Sequence, residues 1–253
     1  MEQIQYEELK KLQKVHWWYS GKREILTKVI EHLLGKDREC LSVLDVGCGM
    51  GLMLDALKEE LGFGQVFGCD MEDVAVEYCK RNYPKTEIVK GYLPDGMDFY
   101  EDTFDLIVAS DVLEHVKDDN AALCTLGKLV KKNGYIVLTV PALMSMWSYN
   151  DELNHHWRRY DAEELEKKIE QNIPESEIVY FSYYNSKLFV PAYIIRWVKK
   201  KLDIETSDVK SIGKDTLFNR ILKKIFVSEY KTIICGKKFR KGVSLIAVVK
   251  NKG

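Results

Sequence analysis

Val43-Leu44-Asp45-Val46-Gly47-Cys48-Gly49-Met50-Gly51 joins a short apolar strand to a glycine-rich turn, and Leu52, Leu54, Ala56, Leu57 and Leu61 continue it with helical spacing. Such a turn lets backbone approach a ligand closely, and the helix behind it offers unpaired N–H groups. The spacing is Gly47-x-Gly49-x-Gly51, with Leu52 where a dinucleotide fold places its third glycine, so the NAD fingerprint is broken. Asp45 lies two residues before the first glycine, where a carboxylate repels a pyrophosphate but attracts a cationic amino-acid moiety. Asp70 ends a second strand and is placed to accept hydrogen bonds from ribose hydroxyls. Together these features favour a sulfonium nucleoside carrying an α-ammonium group.

Outward from this turn, short β-rich runs alternate with helical patterns. Strands are predicted at 41–46, 65–69, 87–90, 104–110, 135–140, 178–184 and 243–249, with helices between them. The fold class is α/β: a Rossmann-like, seven-stranded, mostly parallel sheet with helices on both faces and a helical insertion between the last two strands. One domain is expected over 1–253. It comprises an N-terminal helical cap at 1–38, a cofactor-binding core at 39–184, a basic insertion at 185–241 and a last strand at 242–253. Residues 6–34 read as two helical patches joined at an aromatic bend, His16-Trp17-Trp18-Tyr19-Ser20-Gly21. Asp161, with Glu164 three residues on, is a candidate N-cap.

Composition narrows the function class. The 253 residues are 46% hydrophobic and carry a net charge of -1, which points neither to disorder nor to a nucleic-acid binder. The charge is unevenly placed: from Lys187 onward 17 basic residues face 5 acidic ones, against 21 and 34 before it. That asymmetry suggests an anionic partner for the C-terminal part. The six cysteines show no Cys-x-x-Cys spacing and read as reduced; with no apolar signal segment at the N-terminus, a cytoplasmic location is expected. The longest apolar stretch, 188–198, is shorter than the roughly 20 residues a membrane span needs.

Asp45-Val46-Gly47-Cys48-Gly49-Met50-Gly51, Gly68-Cys69-Asp70-Met71 and the run from Phe104 through Ser110-Asp111-Val112-Leu113-Glu114-His115-Val116 resemble three motifs of the class I S-adenosylmethionine-dependent methyltransferases. The last run is similar to that of ubiquinone-biosynthesis-type and related small-molecule methyltransferases. The resemblance covers about residues 15 to 185 and the final strand. It implies S-adenosyl-L-methionine as cofactor. Asp45, Gly47, Cys48, Gly49 and Gly51 would hold its methionine part, Asp70 its ribose and Met71 its adenine, with Ser110 and Asp111 adjoining. Relatives often place an acidic residue after the third strand; Gly91-Tyr92-Leu93-Pro94-Asp95 has none directly after the glycine.

Methyl transfer to a hydroxyl needs the acceptor's proton removed, and His115, at the expected carboxyl edge of the sheet, is the candidate base; a histidine that only fixes the turn is the plainer alternative. The chain also resembles a bacterial and archaeal methyltransferase group pairing His16-Trp17-Trp18-Tyr19-Ser20-Gly21-Lys22-Arg23 with a Trp-Ser…Asp…His-x-Arg-Arg-Tyr loop. Tyr19, Arg23, His156, Arg158, Arg159 and Tyr160 are therefore candidate acceptor contacts. Two adjacent guanidinium groups suit a phosphate or carboxylate, although ion pairs with Asp151 or Asp161 would account for them as well. No metal is expected, because adjacent His155 and His156 point apart. The basic insertion holds an anchor-like run, 188–202, and a second helix with Leu217, Phe218, Ile221, Leu222, Ile225 and Phe226 on one stripe. The acceptor is expected to be a small molecule, a lipid-linked compound or a glycan. Peripheral contact with an anionic membrane is weighed against helices that simply pack on the domain, and nucleic acid is not expected. A cofactor-binding protein without turnover and an NAD(P) oxidoreductase are the rival readings.

Overall fold

The computed structural model describes residues 12–206 and 216–253. Seven strands, β1 (Ser42–Val46), β2 (Gln65–Asp70), β3 (Glu87–Lys90), β4 (Phe104–Ser110), β5 (Val130–Pro141), β6 (Ser176–Tyr184) and β7 (Ser244–Asn251), form one sheet in the order β3-β2-β1-β4-β5-β7-β6. Neighbours from β3 to β5 pair in parallel, and β7 runs antiparallel to both β5 and β6. The central strands are apolar on both faces, as a sheet covered on both sides requires. Val43, Val108, Val137 and Val248 enter one core and Leu44, Ile107, Leu138 and Ala247 the other, alternating with the two-residue strand period.

Helix α1 (Trp17–Leu34) covers the first face with Ile25, Leu26, Val29 and Ile30, together with α2 (Leu52–Asp55), whose last turn widens over Ala56–Glu60. On the flanks lie α3 (Asp73–Asn82) and, on the second face, α4 (Asp119–Leu129), with Leu123 and Leu126 inward. The short α5 (Tyr149–Leu153) and then α6 (Ala162–Asn172) follow β5. Helix α6 begins after Asp161 as expected, but the Asp161 side chain caps nothing. A side-chain cap occurs instead at α5, where Asp151 Oδ2 accepts from Ser148 N–H and Oγ, at 2.8 and 3.0 Å.

The chain bends at His16, between a helical stretch ending at 15 and α1, so the bend falls at the start of the aromatic segment and residues 17–21 are helical. His16 caps α1, its Nδ1 accepting from Trp18 N–H at 3.2 Å, and the two tryptophans occupy the first helical turn. The earlier helical patch, from Tyr6, falls largely outside the described residues. Between β6 and β7 come α7 (Phe189–Lys201), α8 (Leu217–Val227) and α9 (Tyr230–Ile234). Helix α8 docks on α1: Trp18 stacks on Phe226 with centroids 5.1 Å apart, and Asn219 Oδ1 accepts from Trp17 N–H at 2.9 Å. Gly21 sits at this crossing, where a Cβ would come within 2.8 Å of Phe226, so the helix interior accepts glycine to let the rings close. Of the predicted apolar stripe on α8 only Phe226 is buried; Leu217, Phe218, Ile221 and Ile225 are exposed. No helix among the described residues is long and apolar enough to cross a membrane.

Candidate active site

Strand order reverses between β1 and β4, and a cavity of about 560 Å³ opens at their carboxyl ends. Its walls come from four places: the glycine turn, the start of α1, the turn after β4, and the 141–160 loop with α7.

The glycine turn is shaped for close approach. Gly47, Gly49 and Gly51 have φ of 68°, 53° and 76°, in the left-handed region that side chains resist. A Cβ on Gly51 would also lie 2.2 Å from the Tyr83 ring. Gly49 N–H donates to Asp70 Oδ2 at 2.8 Å, which ties the turn to the end of β2. Asp45 is buried beneath it, and its Oδ2 has no hydrogen-bond partner. Burial, reinforced by the nearby Asp70 charge and opposed by Lys22, raises its carboxyl to about 8. A buried, partnerless carboxyl facing a cavity calls for a cationic donor, and an α-ammonium supplies both charge and hydrogen bonds. These residues therefore fit S-adenosylmethionine. Asp45, Gly47, Cys48, Gly49, Ser110 and Asp111 all line the cavity. Gly51 and Asp70 lie behind the turn, and Met71 is exposed beyond β2.

Lys22 of α1 reaches across to Asp111 at 2.6 Å. Asp111, with φ of 57°, is fixed in turn by Thr139 Oγ1 at 3.0 Å, which also meets Ser110 Oγ. Tyr19 and Arg23 line the same wall, Arg23 paired with Glu60. His16 also lines it; because Nδ1 accepts a backbone N–H, the proton resides on Nε2, and burial lowers this histidine to about 4, leaving it a neutral donor.

His115 closes the short turn Leu113–His115 and faces the cavity. Burial, followed by the neighbouring His156, lowers its pKa, so the ring is neutral at pH 7 and able to accept a proton. The two imidazoles meet edge to face with centroids 4.7 Å apart. Beside them Glu114 is fully buried, and neither carboxylate oxygen has a hydrogen-bond partner. Burial and then Asp111 raise its carboxyl well above the ordinary range. One ligand atom each from Glu114, His115 and His156 lies within 4.8 Å of the others, so this trio could hold a cation. The cluster joins His156 to Glu114 and His115, not to the adjacent His155, and its one signal in the sequence is a charged residue, Glu114, inside an apolar run.

The His-x-Arg-Arg-Tyr loop divides. His156 lines the cavity and shares Asp151 with Arg159, at 3.0 and 2.8 Å. Arg159 is buried, borders the cavity and also donates to Ala142 C=O at 3.0 Å, so its guanidinium is engaged with the protein. Arg158 and Tyr160 turn away from the cavity to Asp119, at 2.9 Å each, and Tyr160 is fully buried. As placed, neither faces an acceptor. Asn150 and Arg196 also line the cavity.

A seven-stranded sheet with one reversed strand, joined to a glycine turn whose buried acid faces a cavity, defines the class I S-adenosylmethionine-dependent methyltransferase fold. The family model described as a methyltransferase domain matches residues 17–186, and the chain belongs to that family. It is 31% identical over 135 residues to the ribosomal protein L11 methyltransferase of Thermosipho africanus, covering 52% of this chain and 50% of that protein. It is 29% identical over 133 residues to the mitochondrial ubiquinone biosynthesis O-methyltransferase of Schizosaccharomyces pombe, covering 49% and 46%. The chain thus spans about half the length of the curated relatives it matches. Among solved structures, a TehB-like S-adenosylmethionine-dependent methyltransferase from Corynebacterium glutamicum superposes with a TM-score of 0.55 at 18% identity, over 91% of this chain and 88% of that one.

Proposed function

We propose that the protein methylates a small-molecule acceptor with S-adenosylmethionine, at an acceptor hydroxyl whose proton passes to His115. The observation that carries this reading is the neutral imidazole of His115 in the same cavity as the partnerless Asp45. S-adenosylmethionine supplies an electrophilic methyl group on a sulfonium. Asp45 and the glycine turn bind the methionine end, and Asp70 takes the ribose once Gly49 N–H shares it. Tyr19, His16 and Lys22 form the wall that positions the acceptor, since holding a nucleophile in line accounts for much of the catalysis in such displacements. His156, oriented by Asp151, packs on His115 and limits the ring's freedom.

Lipid-linked and glycan-type acceptors fall within this proposal, because α7 turns both apolar and cationic side chains, Ile195 with Arg196 and Lys199, to the cavity. Two measurements test it. Calorimetry is expected to show S-adenosylmethionine binding that is lost in Asp45→Ala. Transfer of a labelled methyl group to hydroxyl-bearing acceptors is expected to fail in His115→Asn while that binding persists. Binding of NADH in place of S-adenosylmethionine would overturn the reading.

A further inference from the structure

Helix α7 has two faces of different use. Ala192, Ile195, Arg196 and Lys199, spaced i, i+3, i+4 and i+7, line the cavity. Val190, Tyr193, Ile194, Trp197 and Val198 occupy the opposite side of the same helix. A helix covering a cavity ordinarily turns its polar side outward, yet here Val190, Ile194 and Trp197 are 62%, 54% and 55% exposed, and none of the thirteen residues of α7 is buried. An apolar, aromatic-bearing outer face on the wall of a binding cavity marks an interaction surface.

Charge selects the occupant. The outer face runs into Lys199-Lys200-Lys201, of which Lys200 and Lys201 are exposed, within a region carrying 17 basic residues against 5 acidic ones. Two copies of so basic a surface repel each other, whereas an anionic lipid headgroup layer attracts it. Aromatic side chains at the apolar–polar boundary with lysines beyond them suit a helix lying in the interfacial plane. At ~1.5 Å per residue α7 is about 20 Å long, against about 30 Å of hydrocarbon, so it would lie along the surface and not span it.

We propose that the outer face of α7 seats the protein on an anionic lipid surface, with the cavity directly behind the docked helix. This rests on the acceptor reading above only for its consequence, that an acceptor carried in the bilayer could reach the cavity along α7. The docking itself requires no turnover.

Flotation with vesicles tests it. The full chain is expected to float with phosphatidylcholine vesicles containing roughly one quarter phosphatidylglycerol, to float poorly with phosphatidylcholine alone, and to be released by added salt. Ile194→Gln/Trp197→Gln, at exposed positions off the cavity lining, should lower the bound fraction about tenfold, and Lys200→Gln/Lys201→Gln should lower it with the acidic vesicles. S-adenosylmethionine affinity measured by calorimetry should stay unchanged in both variants. Wild type that does not float, a double variant that floats equally, or a dimer in sedimentation that Ile194→Gln/Trp197→Gln dissolves would each overturn the docking. Flotation without S-adenosylmethionine binding would instead overturn the methyltransferase reading and leave the docking intact.

Discussion

Lys22 Nζ lies 2.6 Å from Asp111 Oδ2, so one ion pair ties the N-terminal helix to the turn that carries Glu114 and His115. Both side chains are largely withdrawn from solvent, which makes the loss of one partner costlier than for a surface pair. Lys22→Met and Asp111→Asn are each expected to cost about 1–3 kcal/mol in chemical denaturation. The double variant should lose clearly less than the sum of the two. Strictly additive losses would show that the pair does not hold α1 to the turn.

Asp45 couples cofactor binding to a proton. With its carboxyl raised to about 8, the free protein is protonated there at pH 7, whereas an ammonium partner requires the carboxylate. Binding of S-adenosylmethionine at pH 7 is therefore expected to release close to one proton, and almost none above about pH 9. Titrations in buffers of different ionisation enthalpy read this directly. The sign for stability runs the other way from the usual carboxylate. The folded free protein holds a proton that the unfolded chain gives up between the ordinary value of 3.8 and about 8, so this contribution is lost as pH rises through that window. Asp45→Asn should abolish the proton release and weaken binding about a hundredfold.

His115 sets an acid limb. Burial and His156 hold its pKa below the ordinary 6.5, so kcat/KM should stay level at neutral pH and fall only at lower pH as the imidazole takes a proton. His156→Asn removes one lowering influence, and the limb should move up toward 6.5. His115→Asn should cut kcat by about 10²–10⁴ and remove the limb. Activity lost on dialysis against a chelator and restored by a divalent ion would assign the Glu114, His115 and His156 trio to a cation instead.

The sheet was legible because its central strands are buried on both faces and read as continuous apolar runs; the strand ends shifted by a few residues, most at β5, which starts at Val130 where Tyr135 was expected. Gly47, Gly49 and Gly51 announce positive φ by their identity alone, so the cofactor turn could be read without coordinates. The acceptor side could not. Whether an arginine faces a ligand or an aspartate is a long-range matter, and adjacent Arg158 and Arg159 find Asp119 and Asp151, which lie 39 and 8 residues earlier in the chain. The unpartnered state of Glu114 depends likewise on surroundings brought in by the 141–160 loop, where Trp157 N–H takes only its backbone carbonyl.

Arg159 and Asp151 give the sharpest separation of a structural from an acceptor-binding role. Both are buried, and Asp151 accepts from Arg159 Nε, Ser148 Oγ and N–H, and shares its Oδ1 with His156. Despite the opposing effect of burial, His156, then Arg159 and Arg196, hold its carboxyl far below the ordinary 3.8. A folded-state value below the unfolded one contributes stability above the ordinary Asp range and loses it only as pH falls below that range. Arg159→Met removes the buried guanidinium that Asp151 binds directly and leaves its charge to His156, Ser148 and the more distant Arg196. The variant should unfold about 3–5 kcal/mol more easily, and its acid unfolding midpoint should move to higher pH. If the variant instead keeps wild-type stability and acid tolerance while acceptor KM rises, Arg159 serves the acceptor and the loop is held by other contacts.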